Sequence, residues 1–311
     1  MKILLTDQVF PDTAVEQRLL EEAGHTLIIA ANREEALDHL VDADAVLNTF
    51  TPLPADVIKS MANAKIIARY GIGVDNIDVD IATERGIVVT NVPDYCIEEV
   101  AAHAVSMTLA LHRKLFQADR ALRKGQWGTA AIKPIRRLST LRVGLLGYGR
   151  IGHVVARTMA TFGCTISVHD PYAQNLEGAT HVTLDELFST SDVLMLHAPL
   201  TEETRGIVNA GRLAQLPLGA IVVNAARGPL IVLDDLLAAL RSGHLGGAAL
   251  DTFPVEPVEP STFEGVPNLL LTPHTAYYSE EAMAESQLKA ATQIIKVLAG
   301  QTADYAVNGR R

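Results

Sequence analysis

The sequence predicts an α/β protein made of two doubly wound parallel-sheet domains, and three observations carry that expectation. Short apolar runs of strand length alternate with helical patterns along most of the 311 residues, the signature of parallel strands covered by helices on both faces. A glycine-rich turn, Gly147-Tyr148-Gly149-Arg150-Ile151-Gly152, opens the second of two such blocks and has no counterpart in the first. The chain is also long enough for two domains, each with its own core.

In the first block, Lys2–Thr6, Thr26–Ala30, Ala45–Leu47, Ile66–Ala68 and Ile87–Val89 read as strands. Val15–Ala23, Arg33–Leu40, Ala55–Met61 and Ile77–Arg85 read as the helices between them. Ile97–Leu115 follows, apolar on most faces through Val100, Ala101, Ala104, Val105, Thr108, Leu109 and Leu111. A helix apolar nearly all round is a buried one, here expected between domains or subunits. Phe116–Trp127 is expected to continue it with more charge, until Gly125 and Gly128 interrupt the pattern.

The second block runs from Leu141 to about Thr272, with strands at Val143–Leu146, Ile166–Val168, Val193–His197, Ile221–Asn224, Gly247–Asp251 and Asn268–Leu271. Ser279–Leu298 reads as an amphipathic helix on Met283, Gln287, Leu288, Ala291, Ile295 and Leu298, ended by Gly300. No strand is expected after it, so this tail must pack onto something already built. We infer that it returns to the first domain, which makes residues 1–97 plus 278–311 one domain and residues 98–277 the other. The two crossings would then provide a hinge and a cleft.

Composition narrows the function classes. Hydrophobic residues make up 48% and charged residues 20% of the chain, which is ordinary for a globular protein. A net charge of −10 argues against a nucleic-acid partner. The basic clusters Arg120–Lys124 and Lys133–Arg137 are short and read as solvated faces. Cys96 and Cys164 sit in apolar contexts without metal-ligand spacing, so they read as buried thiols of a reducing compartment and no metal is expected. Met1–Asp7 starts a strand and is too short for a signal sequence, and no run reaches membrane-spanning length. A cytoplasmic protein without a membrane partner is the expectation.

The glycine turn gains meaning from its neighbours. Leu141–Leu146 before it has strand length, and Val154, Val155, Thr158 and Met159 recur after it at helical spacing as far as Gly163. A second strand, Cys164–Val168, then leads to Asp170, 18 residues beyond Gly152. Strand, glycine turn, helix, strand and acid together form the Rossmann dinucleotide motif. Gly147 permits the tight turn, Gly149 lets a pyrophosphate approach the backbone, and Gly152 lets helix and strands pack closely. Amides of the first helical turn, around Arg150 and Ile151, and the helix dipole favour the phosphate charge. Asp170 can accept from both ribose hydroxyls and would repel a 2′-phosphate, so NAD is expected over NADP.

In open α/β sheets, ligands bind beyond the carboxyl ends of the strands. There the sequence places Arg227 after Ile221–Asn224, Glu256 shortly after the strand that ends at Asp251, and His274 after Asn268–Leu271. Hydride chemistry on a 2-hydroxy or 2-keto acid needs these three types. A guanidinium binds the carboxylate and polarises the carbonyl with its planar fork. An imidazole moves the hydroxyl proton. A carboxylate beside the imidazole fixes its tautomer and favours its protonated form.

With these residues in place, the chain resembles the D-isomer-specific 2-hydroxyacid dehydrogenases. The resemblance runs from Tyr70-Gly71-Ile72-Gly73-Val74-Asp75-Asn76-Ile77-Asp78 to the end. It includes Val223-Asn224-Ala225-Ala226-Arg227-Gly228, Leu250-Asp251 through Glu256-Pro257, and Thr272-Pro273-His274. It implies a flavodoxin-like substrate domain beside the Rossmann domain. It further implies that Arg227 binds substrate, Glu256 supports the base and His274 is the acid/base. Asp251 would hold the nicotinamide carboxamide, His197-Ala198-Pro199 with Thr204 would line the adenosine side, and Ala225 and Ala226 would also touch the cofactor. Ile72 and Gly73 would offer amides to the substrate carboxylate, and a homodimer would form through the helices of Ile97–Trp127.

Within the family, Asn91-Val92-Pro93-Asp94-Tyr95-Cys96-Ile97-Glu98-Glu99 and Pro273-His274-Thr275-Ala276-Tyr277-Tyr278-Ser279-Glu280 are most similar to the C-terminal binding protein branch. That implies Arg69 as a second carboxylate contact and Tyr277, a Trp in that branch, as a pocket wall. Two departures matter. Phosphoglycerate-specific members carry arginines after the third strand, where this chain has Asn48-Thr49-Phe50-Thr51-Pro52. Pro229-Leu230 follows Arg227-Gly228 where the family usually has Gly and then Asp. The expectation is an NAD-dependent oxidoreductase of small, non-phosphorylated 2-keto and D-2-hydroxy acids. The alternative is an NAD-sensing, dimeric corepressor-like protein with little turnover.

Overall fold

The computed structural model describes residues 1–309. Arg310 and Arg311, which the sequence assigns to the first domain, lie outside the described residues. The chain divides into two compact units, one formed by Met1–Tyr95 with the chain from Tyr278 onward, the other by Cys96–Tyr277.

The first unit carries β1 (Lys2–Leu5), α1 (Ala14–Glu22), β2 (Thr26–Ile29), α2 (Arg33–Leu40), β3 (Ala45–Asn48), α3 (Ala55–Ser60), β4 (Ile66–Arg69), α4 (Val79–Glu84) and β5 (Val88–Thr90). Its strands pair in the order β2-β1-β3-β4-β5, all parallel. That order is the flavodoxin-like one, with its reversal between β1 and β3. All four residues of β3 are buried, as a strand covered on both faces requires. Leu4, Val46, Ile67 and Val89 form one core with Leu40, Leu53 and Ile58 from the flanking segments. α4 begins two residues later than its apolar pattern, because the Asp78 carboxylate accepts the Ile81 amide at 3.1 Å and caps the helix.

The second unit begins with α5 (Ile97–His112) and α6 (Leu115–Arg123), followed by β6 (Arg142–Leu146), α7 (Arg150–Thr161), β7 (Thr165–His169), β8 (Thr180–His181) and α8 (Leu184–Thr190). β9 (Val193–Leu196), α9 (Ala210–Leu213), β10 (Ala220–Asn224), α10 (Leu233–Arg241), β11 (Leu245–Leu250) and β12 (Leu269–Leu271) complete it. The parallel sheet runs β12-β11-β10-β9-β6-β7-β8, so the strand order reverses between β6 and β9. That reversal is where a doubly wound sheet opens a crevice for a nucleotide.

α5 and α6 correct one expectation. The helix does not run on into Phe116–Trp127; it stops at His112, and Lys114 takes φ +53° before α6 restarts. α5 buries Val100, Ala101, Ala104, Met107, Thr108 and Leu111 and packs on α7, β10 and β11. No residue of α6 is buried. The basic cluster after it is not simply solvated either. Arg136 reaches 2.7 Å from Asp192, a buried carboxylate that also pairs with Arg142 at 3.2 Å.

The chain then returns to the first unit as α11 (Glu280–Leu298), capped by the Ser279 side chain on the Ala282 amide at 3.0 Å. Its buried face differs from the apolar reading: Ser286, Ala290 and Ile294 are buried with Met283, Gln287 and Ala291, whereas Leu288 is exposed. Polar residues define part of that face. Ser286 donates to the Tyr70 carbonyl at 2.7 Å, and Gln287 donates to the buried Glu16 carboxyl at 2.8 Å. The tail also adds a pairing that the sequence did not suggest. Ala306 bridges Thr90 antiparallel, and the Val307 amide donates to the Val89 carbonyl at 2.8 Å. No helix among the described residues is long and apolar enough to cross a membrane.

Candidate active site

The glycine turn lies at the end of β6, against the exit of β9. Gly147 has φ +95°, and a Cβ there would meet the Ala198 amide nitrogen at 2.6 Å. Only glycine fits both the conformation and the contact. A Cβ on Gly152 would meet the Gly147 carbonyl at 2.6 Å, so the first turn of α7 closes directly on the loop. Gly149 is different: nothing lies within 4 Å of the place where its Cβ would be. That open surface over backbone amides is what a pyrophosphate requires.

The acid of the motif is held by its own surroundings. Asp170 accepts the Tyr148 amide on Oδ2 at 2.7 Å and the Tyr172 amide on Oδ1 at 2.8 Å. Its carboxylate is thereby fixed beside the glycine turn. His197, at the exit of β9, has a buried Nε2 without a hydrogen-bond partner among the described residues. Burial lowers its pKa to about 4, so the ring is neutral. Ala198 and Ala225 are buried, Ala226 is half-buried, and Thr204 Oγ1 donates to the Pro199 carbonyl at 2.7 Å, closing the loop after β9. An open amide cradle, an oriented acid and an orphaned polar atom at the sheet's reversal together suit a dinucleotide.

Beyond β10, β11 and β12, three candidate chemical groups come together. Glu256 Oε2 accepts from His274 Nδ1 at 2.7 Å, and its Oε1 accepts the Phe253 amide at 2.8 Å. A carboxylate cannot donate, so Nδ1 carries the proton of this bond. Burial pushes the Glu256 carboxyl up, but the His274 bond, the Phe253 amide and the Arg227 charge outweigh it and hold the group below its ordinary range. Arg227 is half-buried and donates from Nη1 to the Ala226 carbonyl at 2.8 Å. Gly228, the next residue, touches the Phe253 backbone so closely that a Cβ would overlap it. The arginine loop and the glutamate loop are thus locked together.

Two further residues of the second unit surround the histidine. Tyr277 packs edge-on to the His274 ring with centroids 6.1 Å apart. Burial, then the Asp251 and Cys96 charges, raise its pKa, so the phenol keeps its proton. The Asp251 carboxylate is 1% exposed and accepts from Thr272, Thr275 and Ala276.

In the first unit, Arg69 Nε donates to Asn76 Oδ1 at 3.0 Å, and its guanidinium occupies the space where a Gly71 side chain would stand. The loop of Ile72 and Gly73 is pinned by Asn91, whose amide donates to the Ile72 carbonyl at 2.6 Å. Asn76 also donates to Asn48, Thr49 and Thr51, so it joins Arg69 to the loop after β3. In that loop Thr49, Phe50 and Thr51 direct amides at Asp7. Sequence reasoning quoted Asn76 and Thr272 inside its motifs without giving them a role, and it passed over His103, whose Nε2 lies 3.0 Å from Thr272 Oγ1; for His103 the signal was a lone imidazole in an apolar helix. Neither buried cysteine is in a disulfide, and no group of three or more metal-binding side chains occurs among the described residues.

Residues 105–276 match the family model described as D-isomer specific 2-hydroxyacid dehydrogenase, NAD binding domain. The D-3-phosphoglycerate dehydrogenase of Methanocaldococcus jannaschii is 37% identical over 99% of this chain. The match takes in 59% of that protein, so the chain spans well under two thirds of the curated relatives it resembles. Among solved structures, the TT0316 protein of Thermus thermophilus superposes with a TM-score of 0.89 at 31% identity, covering 99% of this chain and 100% of that one. The D-lactate dehydrogenase of Aquifex aeolicus, complexed with NAD and lactic acid, superposes at 0.90 with 26% identity over 100% of both chains.

Proposed function

This chain belongs to the D-isomer specific 2-hydroxyacid dehydrogenase family, and from that premise we propose that it interconverts a small, non-phosphorylated 2-keto acid and its D-2-hydroxy acid with NAD as cofactor. The observation that carries the reading is the 2.7 Å contact between His274 Nδ1 and Glu256, with the Arg227 charge acting on the same carboxylate.

NAD, when bound, supplies or takes the hydride. Amides of Gly149, Arg150 and Ile151 would hold its pyrophosphate, Asp170 its ribose, and the His197–Pro199 segment with Thr204 its adenosine side. Ala225, Ala226 and Asp251 would hold the nicotinamide end. Arg227 binds the substrate carboxylate and draws electron density from the carbonyl oxygen through its charged fork. In reduction, His274 gives a proton from Nε2 to that oxygen; in oxidation it takes the hydroxyl proton back. Glu256 stays ionised, holds the imidazole in one tautomer and offsets the positive charge of its protonated form. Tyr277 walls the site with its ring and keeps a donor at its tip. In the first unit, we assign Arg69 and the amides of Ile72 and Gly73 to carboxylate recognition.

The loop after β3 supports a non-phosphorylated substrate. It contains no cation, and its amides are already spent on Asp7, whose negative charge would oppose a phosphate. The test is NADH oxidation with glyoxylate, pyruvate, branched 2-keto acids and 3-phosphohydroxypyruvate in parallel. Preference for the phosphorylated acid would overturn the substrate class without touching the reaction type.

The proposed assembly is a homodimer. Leu115, Phe116 and Leu122 of α6 are exposed, and Trp127 is 89% exposed, so one segment carries several exposed apolar side chains of the kind an interface covers. Sedimentation of the purified chain checks it.

A further inference from the structure

Resting on the reading above, we infer that His103, Thr272 and Asp251 form a buried clamp that sets the position of His274, with His103 and Thr272 as positioning residues. His274 has φ +53°, a conformation uncommon for any residue but glycine. Such a backbone persists only where its surroundings over-determine it. Here the surroundings are explicit. The His274 amide donates to the Asp251 carbonyl at 2.8 Å and to the Thr272 carbonyl at 3.0 Å. The Asp251 carboxylate takes the next two amides, Thr275 on Oδ1 at 2.9 Å and Ala276 on Oδ2 at 3.0 Å. One residue on β11's exit therefore holds the chain on both sides of the catalytic imidazole.

Thr272 and His103 extend the hold to α5. Thr272 Oγ1 lies 2.6 Å from Asp251 Oδ1 and 3.0 Å from His103 Nε2. The hydroxyl has one proton, and the ionised carboxylate, which can only accept, takes it. His103 Nε2 must then carry a hydrogen and donate to Thr272. The result is a directed chain, His103 N–H to Thr272 O–H to Asp251, with His103 Nε2 also 3.7 Å from the Asp251 carboxylate. A neutral Nε2–H tautomer and a protonated ring both satisfy it. The Asp251 carboxylate is 1% exposed, and a buried carboxylate short of a donor is costly. Losing the Thr272 hydroxyl or the His103 donor should therefore slacken the turn and leave the rest of the fold in place. His103 is offered as a determinant of where His274 stands, not as a group that touches substrate.

The test pairs isosteric deletions with conservative rescues, Thr272→Val with Thr272→Ser and His103→Leu with His103→Gln. Amide hydrogen exchange of Thr275 and Ala276 is read in the nucleotide-free protein, and kcat and KM in the assay above. We expect Thr272→Val and His103→Leu to speed exchange at those amides about tenfold or more and to cut kcat by about tenfold. The KM for the keto acid should stay nearly unchanged while the melting temperature falls by only a few degrees, and Ser and Gln should restore most of the losses in exchange protection and kcat. Unchanged exchange in both deletions, or equal losses in the deletion and its rescue, would overturn the clamp. If no keto acid is turned over by the wild-type protein, the proposed activity fails, yet the exchange measurement still decides the clamp by itself.

Discussion

Glu256 meets His274 Nδ1 with one carboxylate oxygen at 2.7 Å and the Phe253 amide with the other at 2.8 Å. The glutamate is therefore fixed by its own loop before it fixes the imidazole. Glu256→Gln keeps an acceptor but removes the charge. Keto-acid reduction should fall in kcat on the order of 10²-fold, with NADH affinity unchanged.

The same residue gives a stability signature. Its pKa is held below the ordinary 4.5, so the folded state binds the proton less readily than the unfolded chain. That stability is complete above the unfolded value and is lost as pH falls through the lower folded one. In urea melts from pH 7 to pH 3, the wild-type advantage over Glu256→Gln should shrink as the solution is acidified. An advantage that stays constant would contradict the assignment.

Arg227 was legible as a strand-end cation, but its setting was not. Gly228 contacts the Phe253 backbone with no room for a Cβ, a relation between segments far apart in the chain. Arg227→Lys keeps the charge and loses the fork, and should raise the KM for the keto acid about ten- to a hundredfold. A variant with wild-type KM would show that the guanidinium geometry does not matter.

Asp170 carries the cofactor preference. Its carboxylate is oriented by the Tyr148 and Tyr172 amides, so Asp170→Ala removes the charge opposing a 2′-phosphate. The ratio of kcat/KM for NADH over NADPH should drop by about tenfold or more, since each charged contact is worth about 1.5–3 kcal/mol. An unchanged ratio would place the discrimination elsewhere.

His197 provides a pH test of the buried crevice. With a folded pKa of about 4 against an ordinary 6.5, the unfolded chain takes up a proton that the folded state refuses. Stability is therefore lost as pH falls from 6.5 towards 4, on the order of 3 kcal/mol for this residue. His197→Gln should flatten that part of the stability curve. An imidazole resonance of His197 that titrates near 6.5 would contradict it.

Much of this architecture is legible in the sequence, for physical reasons that particular residues show. Strands such as Val193–Leu196 are buried on both faces, so apolar runs betray them, and Gly147 and Gly152 are constrained by backbone approach alone. Where side chains act on distant backbone the sequence is silent. Lys114 ends α5 with a left-handed residue inside a continuous helical pattern. Ser286 joins the buried face of α11 through a hydrogen bond rather than apolar character. Thr272 stood inside a quoted motif, but its partner His103 is 169 residues away.

The central claim is that His274 moves the substrate proton under the control of Glu256. Steady-state NADH oxidation with the 2-keto acid panel, wild type beside His274→Gln at matched NADH saturation, tests it most directly. The account expects turnover of at least one non-phosphorylated acid by the wild type and a loss on the order of 10²- to 10⁴-fold in kcat for the variant. Tight NADH binding without turnover of any acid, or equal rates for the two proteins, would contradict it.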